Sequence, residues 1–201
     1  MLMTLMKQKV APTRSLLLAG LLLVFCLLFG PQPAESRGSP NNPQLATLLD
    51  KLALAESPET ADRLTRAIWQ IWTNDTPNPA FRMMMEQGMS MMSNGQLDMA
   101  DKIFTSLIRL DPDYTEAWNK RATTRYMLGW LEGSERDIAE VLEREPRHFG
   151  ALSGLAIIRL QQGELEEALQ TFLLIRQIHP FSKDAEIHIP QLQKALRGKA
   201  V

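Results

Sequence analysis

Apolar positions along the chain follow two different patterns. From Leu16 to Phe29 the run LLLAGLLLVFCLLF carries no charge over fourteen residues, and the stretch before it holds Lys7, Lys9 and Arg14 with no acid. A positive segment ahead of a short apolar one has the layout of a signal peptide, and the run falls short of the roughly 20 apolar residues of a membrane span. From residue 44 onward the apolar residues recur every three or four positions, as on an amphipathic helix. Leu45, Leu48, Leu49 and Leu52 predict one such helix. Ala61, Leu64, Ile68, Ile71 and Trp72 predict a second, behind Ser57-Pro58, which reads as N-cap and first helical residue.

A longer period lies over the helical one. Pro112, Pro146 and Pro180 stand 34 residues apart, and so do Gly95, Gly129 and Gly163. With each proline at position 32 of a unit, the repeats span 81–114, 115–148 and 149–182. Position 20 is small in all three (Ala100, Ser134, Ala168), as is position 8 (Gly88, Ala122, Ala156). Position 24 is Phe104, Ile138 and Phe172, and position 4 is Met84, Trp118 and Leu152. In the first unit Gly95 separates two helical runs, and Ala100, Phe104, Leu107 and Ile108 recur at helical spacing before Asp111-Pro112 ends the second.

This succession resembles the tetratricopeptide repeat (TPR) over about 100 residues. The resemblance implies an all-α TPR helical-hairpin solenoid with three TPR units. Each helix pair buries its stripe only against neighbours, so the stack must be closed at both ends. Residues 44–80 are expected to form a divergent leading helical hairpin at the front. Residues 183–201 are expected to form a C-terminal capping helix and tail, bearing Ala185, Ile189, Leu192 and Leu196 behind Ser182, kinked or restarted at Pro190. Residues 37–43 read as a linker, and 1–36 as a signal peptide cut after Ala34-Glu35-Ser36 or retained as an N-terminal anchor through residues 16–29. Cys26 lies inside the apolar run, with Phe25 where a lipidation motif has a small residue, so it reads as an ordinary apolar cysteine. The segments from Glu116 to Ala122 and from Glu145 to Leu152 resemble exported bacterial TPR proteins, also met in chloroplast-targeted chains. That implies export, to the periplasm in a bacterium.

Composition narrows the picture. The chain has 201 residues, 45% hydrophobic and 22% charged, with one Cys, which excludes a collagen, a wholly disordered chain and a disulfide-stapled miniprotein. Twenty-two basic against 23 acidic residues give a net charge of −1 and no general attraction to nucleic acid. Loss of residues 1–36 removes three basic residues, one acid and the Cys, leaving a charge of −3 and a thiol-free chain indifferent to an oxidising compartment. The sequence contains no G-x-S-x-G, H-E-x-x-H, Walker loop, G-x-G-x-x-G or Cys pair. His148 and His179 fall at inter-repeat turns and read, like His188, as capping or solvent-facing. The expectation is a non-enzymatic protein with no cofactor, whose partner is a protein or peptide and which meets a membrane only through an uncleaved N-terminal segment.

The TPR resemblance implies a concave groove lined by positions 2, 5, 9, 12 and 13 of each first helix. These are Arg82, Met85, Met89, Met92 and Ser93, then Glu116, Asn119, Thr123, Tyr126 and Met127, then Gly150, Ser153, Ile157, Leu160 and Gln161. TPR proteins that clamp the acidic tails of cytosolic chaperones use Lys, Asn and Arg at several such places. Met85, Met89, Gly150 and Gly154 depart from that pattern, so a less polar peptide or helix is expected. Seven methionines fall between Met83 and Met99. Met84, Met91 and Met99 read as core, whereas Met85, Met89 and Met92 share a face at i, i+4, i+7 and would suit a surface that repacks around apolar partners. The alternative is a Met-rich copper-handling protein of the cell envelope, since thioethers are soft Cu(I) ligands, although no His or Cys accompanies them. Arg121 and Arg125 stand at inward positions 7 and 11. They need a buried ion pair, with Glu86, Glu116 or Asp137 as candidates, or else an anionic group on a partner.

Overall fold

The computed structural model describes residues 42–199; the signal-peptide and anchor readings, Cys26, most of the linker and the last two residues lie outside these. Nine helices and no strand occur among the described residues. They are α1 (Pro43–Ala53), α2 (Pro58–Thr73), α3 (Pro79–Ser93), α4 (Leu97–Leu110), α5 (Thr115–Met127), α6 (Leu131–Arg144), α7 (Phe149–Gln162), α8 (Leu165–Ile178) and α9 (Lys183–Lys199). No helix among the described residues is long and apolar enough to cross a membrane.

Local chemistry explains the boundaries. Asn42, Ser57 and Asn78 precede Pro43, Pro58 and Pro79, and each side chain accepts a hydrogen bond from a backbone N–H of the first turn it caps. Within each repeat the turn residue is glycine at positive φ, 74° at Gly95, 77° at Gly129 and 78° at Gly163. A residue with a Cβ is disfavoured there. The next N–H then reaches back to close the turn, Gln96 to Met91 O (2.9 Å), Trp130 to Arg125 O (2.8 Å) and Glu164 to Arg159 O (2.9 Å). Asp111, Glu145 and His179 are extended ahead of the repeat prolines and end the second helices.

The small positions are packing contacts. Ala100, Ser134 and Ala168 are essentially inaccessible. At Gly88 an added Cβ would lie 2.5 Å from the Phe104 ring, so the position-8 glycine and position-24 aromatic are one fit. Helices α3 to α8 pair antiparallel within each repeat and stack in order, and α9 packs on α8. That last helix runs through Pro190 rather than restarting there.

The leading hairpin departs from the expected placement at the front of the stack. Beyond each other, α1 packs on α8 and α2 on α5, not on α3. Along its length α2 crosses the inter-repeat loops in reverse order. Thr65 Oγ1 lies 3.3 Å from His179 Nε2, Trp72 stacks on His148 with ring centroids 3.8 Å apart, and the Tyr114 hydroxyl donates to the Thr73 carbonyl. Outside it, Leu45, Leu49 and Leu52 of α1 join Phe172, Ile175 and Ile178 of α8 in one buried cluster, and Arg147 Nη1 meets Asp50 Oδ1 at 2.6 Å. The hairpin is a strap along the loop edge of repeats 2 and 3. Its stripe matches any exposed apolar edge as well as it matches the end of a stack, which is why periodicity alone misplaced it.

Candidate functional site

The strap reaches into one end of the expected groove. Trp69 lies against the N-terminal halves of α5 and α7: Lys120 Nζ sits 5.0 Å from its ring centroid, and the Phe149 ring meets it edge-on at 5.6 Å. Gly150 makes room for it, because a Cβ there would fall 2.6 Å from Trp69 Cη2. Trp72 covers His148, which is wholly buried. The Ala151 N–H donates to His148 Nδ1 (3.1 Å), so the ring proton resides on Nε2, which donates to Glu116 Oε2 (3.1 Å). Glu116 also accepts from Asn119 Nδ2 (3.1 Å) and pairs with Lys120 Nζ (3.0 Å). Burial pushes the Glu116 carboxyl up, but the hydrogen bond from His148 and the Lys120 charge outweigh it and hold the group below the usual carboxylate range. The polar groups at this end of the groove are thus spent within the chain.

The remaining expected lining divides in two. Thr123 and Met127 are exposed, the latter by 51%, while Tyr126, Ser153, Ile157 and Leu160 are half-buried. Gln161 Nε2 donates to the Tyr126 hydroxyl (2.9 Å) across the two helices. These residues form an open, uncharged surface over the C-terminal halves of α5 and α7. At its strapped end, Trp69, Phe149, Gly150, Ser153, His179 and Phe181 border a cavity of about 320 Å³.

Three expected lining residues are corrected. Met85 is 0% exposed, packed with Phe104, Leu107, Tyr114 and Ala117, and Asn119 is 5% exposed beside Glu116. Arg82 donates to the Thr76 carbonyl (3.0 Å) and ties down the connector before α3. Met89 and Met92 are half-buried against the same cluster, and Met92 Sδ lies 3.5 Å from Thr124 Oγ1, which donates to the Lys120 carbonyl at 2.8 Å. Of the methionines expected in the core, Met84 and Met91 are half-buried against this same cluster, whereas Met99 is 51% exposed; Met83 is 69% exposed. With the strap elsewhere, no helix among the described residues stands in front of α3; Met83 on that side is exposed, and Met85, toward repeat 2, is buried.

Arg121 and Arg125 are fully engaged. Arg121 holds Asp137 through Nε (2.9 Å) and Nη2 (2.7 Å) and donates to Thr105 Oγ1 (3.1 Å). Arg125 holds Asp101 (2.9 Å) and Asp137 (3.0 Å). Of the three carboxylates considered, Asp137 is the partner, and this network joins repeat 2 to repeat 1. Trp69 and Trp72 were not expected in the groove. Their signal was a tryptophan pair at i, i+3 together with Gly150 and His148 at repeat positions facing them, a match between segments far apart in sequence.

Comparison with known proteins agrees with this geometry. Residues 120–183 match the tetratricopeptide repeat family model. A TPR repeat-containing protein of Rhizobium etli is 31% identical over 187 residues, covering 88% of this chain and 91% of its own length. Among solved structures, the first TPR of Spaghetti (RPAP3), bound to an HSP90 peptide, superposes with a TM-score of 0.55 at 20% identity, over 58% of this chain and 93% of that one. A tetratricopeptide repeat protein from Parabacteroides merdae gives 0.54 at 20% identity, over 77% of this chain and 59% of that one.

Proposed function

Because the chain belongs to the tetratricopeptide-repeat family, we propose that it is a non-catalytic binding module that holds a protein partner in the unstrapped half of its concave groove. The observation carrying this reading is the open, uncharged surface of Thr123, Tyr126, Met127, Ile157 and Leu160 on two adjacent helices. Such a surface suits an amphipathic helix or an extended peptide with apolar anchors. A solved neighbour binds a chaperone peptide ending in acidic residues. Here Lys120 and Asn119 are committed to Glu116, so an acidic tail finds no free clamp and an apolar segment is the better ligand.

The apolar run at 16–29 behind basic residues supports action outside the cytoplasm after export, or on a membrane through a retained N-terminal anchor. The copper reading gains nothing from the packing, which commits Met85 to the core and sets Met92 half-buried against it.

The test is affinity capture from native envelope with the wild-type chain, Tyr126→Ala and Met127→Asp. Both variants are expected to keep wild-type helicity and to lose partners that the wild type retains. Retention of every partner by both would overturn the groove reading. N-terminal sequencing of the fractionated protein separates cleavage before Arg37 from retention of the anchor.

A further inference from the structure

A cavity of about 580 Å³ opens where α1 and the end of α2 meet the solenoid. Asp75, Asp113, Glu140, Glu143 and Glu145 line it against a single cation, Arg144. That guanidinium is taken by Glu140 at 2.8 Å. Among the described residues, no Lys, Arg or His forms a salt bridge with Asp75, Asp113, Glu143 or Glu145. Glu145 is 2% exposed; one carboxylate oxygen accepts the Arg147 N–H (3.0 Å), and the other, Oε2, has no partner. Burial and the neighbouring Asp111 hold the Asp75 carboxyl above its usual range. A buried acceptor left without a donor and carboxylates left without a counter-charge both cost stability.

Cation chemistry resolves both deficits, and the spacing selects its kind. No three His, Cys, Asp or Glu among the described residues converge as metal ligands do. The acids are instead spread around a volume of small-molecule size, with Leu45 and Trp72 as apolar wall between them. We propose that this cavity binds an organic cation, an alkylammonium or guanidinium group on an aliphatic spacer, with Glu145 as its buried counter-charge and Asp113 and Glu143 at the rim. A free polyamine and a Lys or Arg side chain of a partner polypeptide present the same chemistry. Because the walls come from the strap and from α6, the bound cation also fastens the strap to the repeats.

Calorimetric titration of the full-length chain tests this, with spermidine, a short Lys- and Arg-containing peptide, and magnesium as three separate probes. The variants are Glu145→Gln, which keeps an acceptor for the Arg147 N–H, and Asp113→Asn/Glu143→Gln, which changes only exposed side chains. Spermidine, the peptide or both are expected to bind, to bind at least about tenfold more weakly to either variant, as for one charged hydrogen bond lost, and to slow amide exchange in α1 and α2. Binding of spermidine alone identifies a free polyamine as the ligand, and binding of the peptide alone identifies a partner side chain. The proposal is overturned if neither binds, if the double rim variant binds both as the wild type does, or if magnesium competes at equal concentration, the mark of a diffuse acidic surface. Should Glu145→Gln unfold, the rim variant carries the test alone.

Discussion

Repeats 1 and 2 share one 34-residue frame and put opposite chemistry on the same face. At positions 7, 11, 19 and 23 repeat 2 carries Arg121, Arg125, Gly133 and Asp137, and repeat 1 carries Gln87, Met91, Met99 and Ile103. In repeat 2 that face docks on the preceding repeat, with Arg125 reaching Asp101 and Arg121 reaching Thr105. In repeat 1 no helix among the described residues precedes it, because the strap runs along the loop edge. Period therefore specifies the backbone of a solenoid, whereas place in the array decides which stripe is buried. A face that must dock uses directional ion pairs that set its register, and the face left open is uncharged and flexible.

The widest gap should appear between two methionines on α3. Met85→Asp puts an unpaired carboxylate into a fully enclosed site, and a loss of about 4 kcal/mol is expected, as for other uncompensated buried charges. Met83→Asp, two residues away and 69% exposed, should change stability by less than about 0.5 kcal/mol. Urea unfolding followed by circular dichroism measures both. Equal losses would show that the forward face of α3 is covered after all.

Next in size is the ion network. Asp137→Ala strands the guanidinium of Arg121, a residue only 8% exposed, leaves Arg125 with Asp101 alone, and should cost about 3 kcal/mol. Replacing the set with that of repeat 1, as Arg121→Gln, Arg125→Met and Asp137→Ile together, leaves only the half-buried Asp101 unpaired and should cost clearly less than the single change. If the triple variant is the weaker one, the network holds repeats 1 and 2 together by its own energy and not merely by avoiding unpaired charge.

Particular residues show how far the sequence could be read. Gly95, Gly129, Gly163 and the three prolines are legible because each answers a local backbone demand, a positive φ or an extended residue before proline. Ser57-Pro58 is legible for the same reason. The Gly88–Phe104 fit lies within one repeat and follows from the period. The strap was not legible, since Trp69 finds its place through the missing side chain of Gly150, and no local rule links positions so far apart. Met85, expected in the groove and found in the core, and Met99, expected in the core and found exposed, were misread for that reason: which face is open depends on where another segment packs.

Gly150 offers a direct way to lift the strap while leaving every repeat intact. Gly150→Val forces methyl groups into the Trp69 ring, and overpacking of this kind costs about 2 kcal/mol. The loss should appear as faster amide exchange in α1 and α2 with α3 and α4 unchanged. Adding Trp69→Ala makes room for the valine, so the double variant should be less perturbed by the valine than the wild-type background is. Uniformly faster exchange through all repeats would mean that the strap and the solenoid unfold as one unit.

The smallest expected effect is a response to acid. Burial pushes the His179 ring below its ordinary value, more than Asp62 raises it, and its Nε2 faces Thr65 of the strap. In the unfolded chain the ring takes its proton near pH ~6.5, and in the folded chain only at lower pH. Between those points the unfolded state binds more protons, so this contribution is complete above about pH 6.5 and is lost as pH falls through the folded value. Glu116, held below its usual range, follows the same sign in a lower window, its contribution complete above the ordinary carboxylate value and lost below it. Stability measured from pH 7.5 downward should therefore begin to fall through His179 before Glu116 takes part. His179→Gln keeps a side chain able to meet Thr65 without titrating, so it should flatten the first part of the slope and leave the second. A first part unchanged by that substitution would assign the response to another group and remove His179 from the strap's attachment.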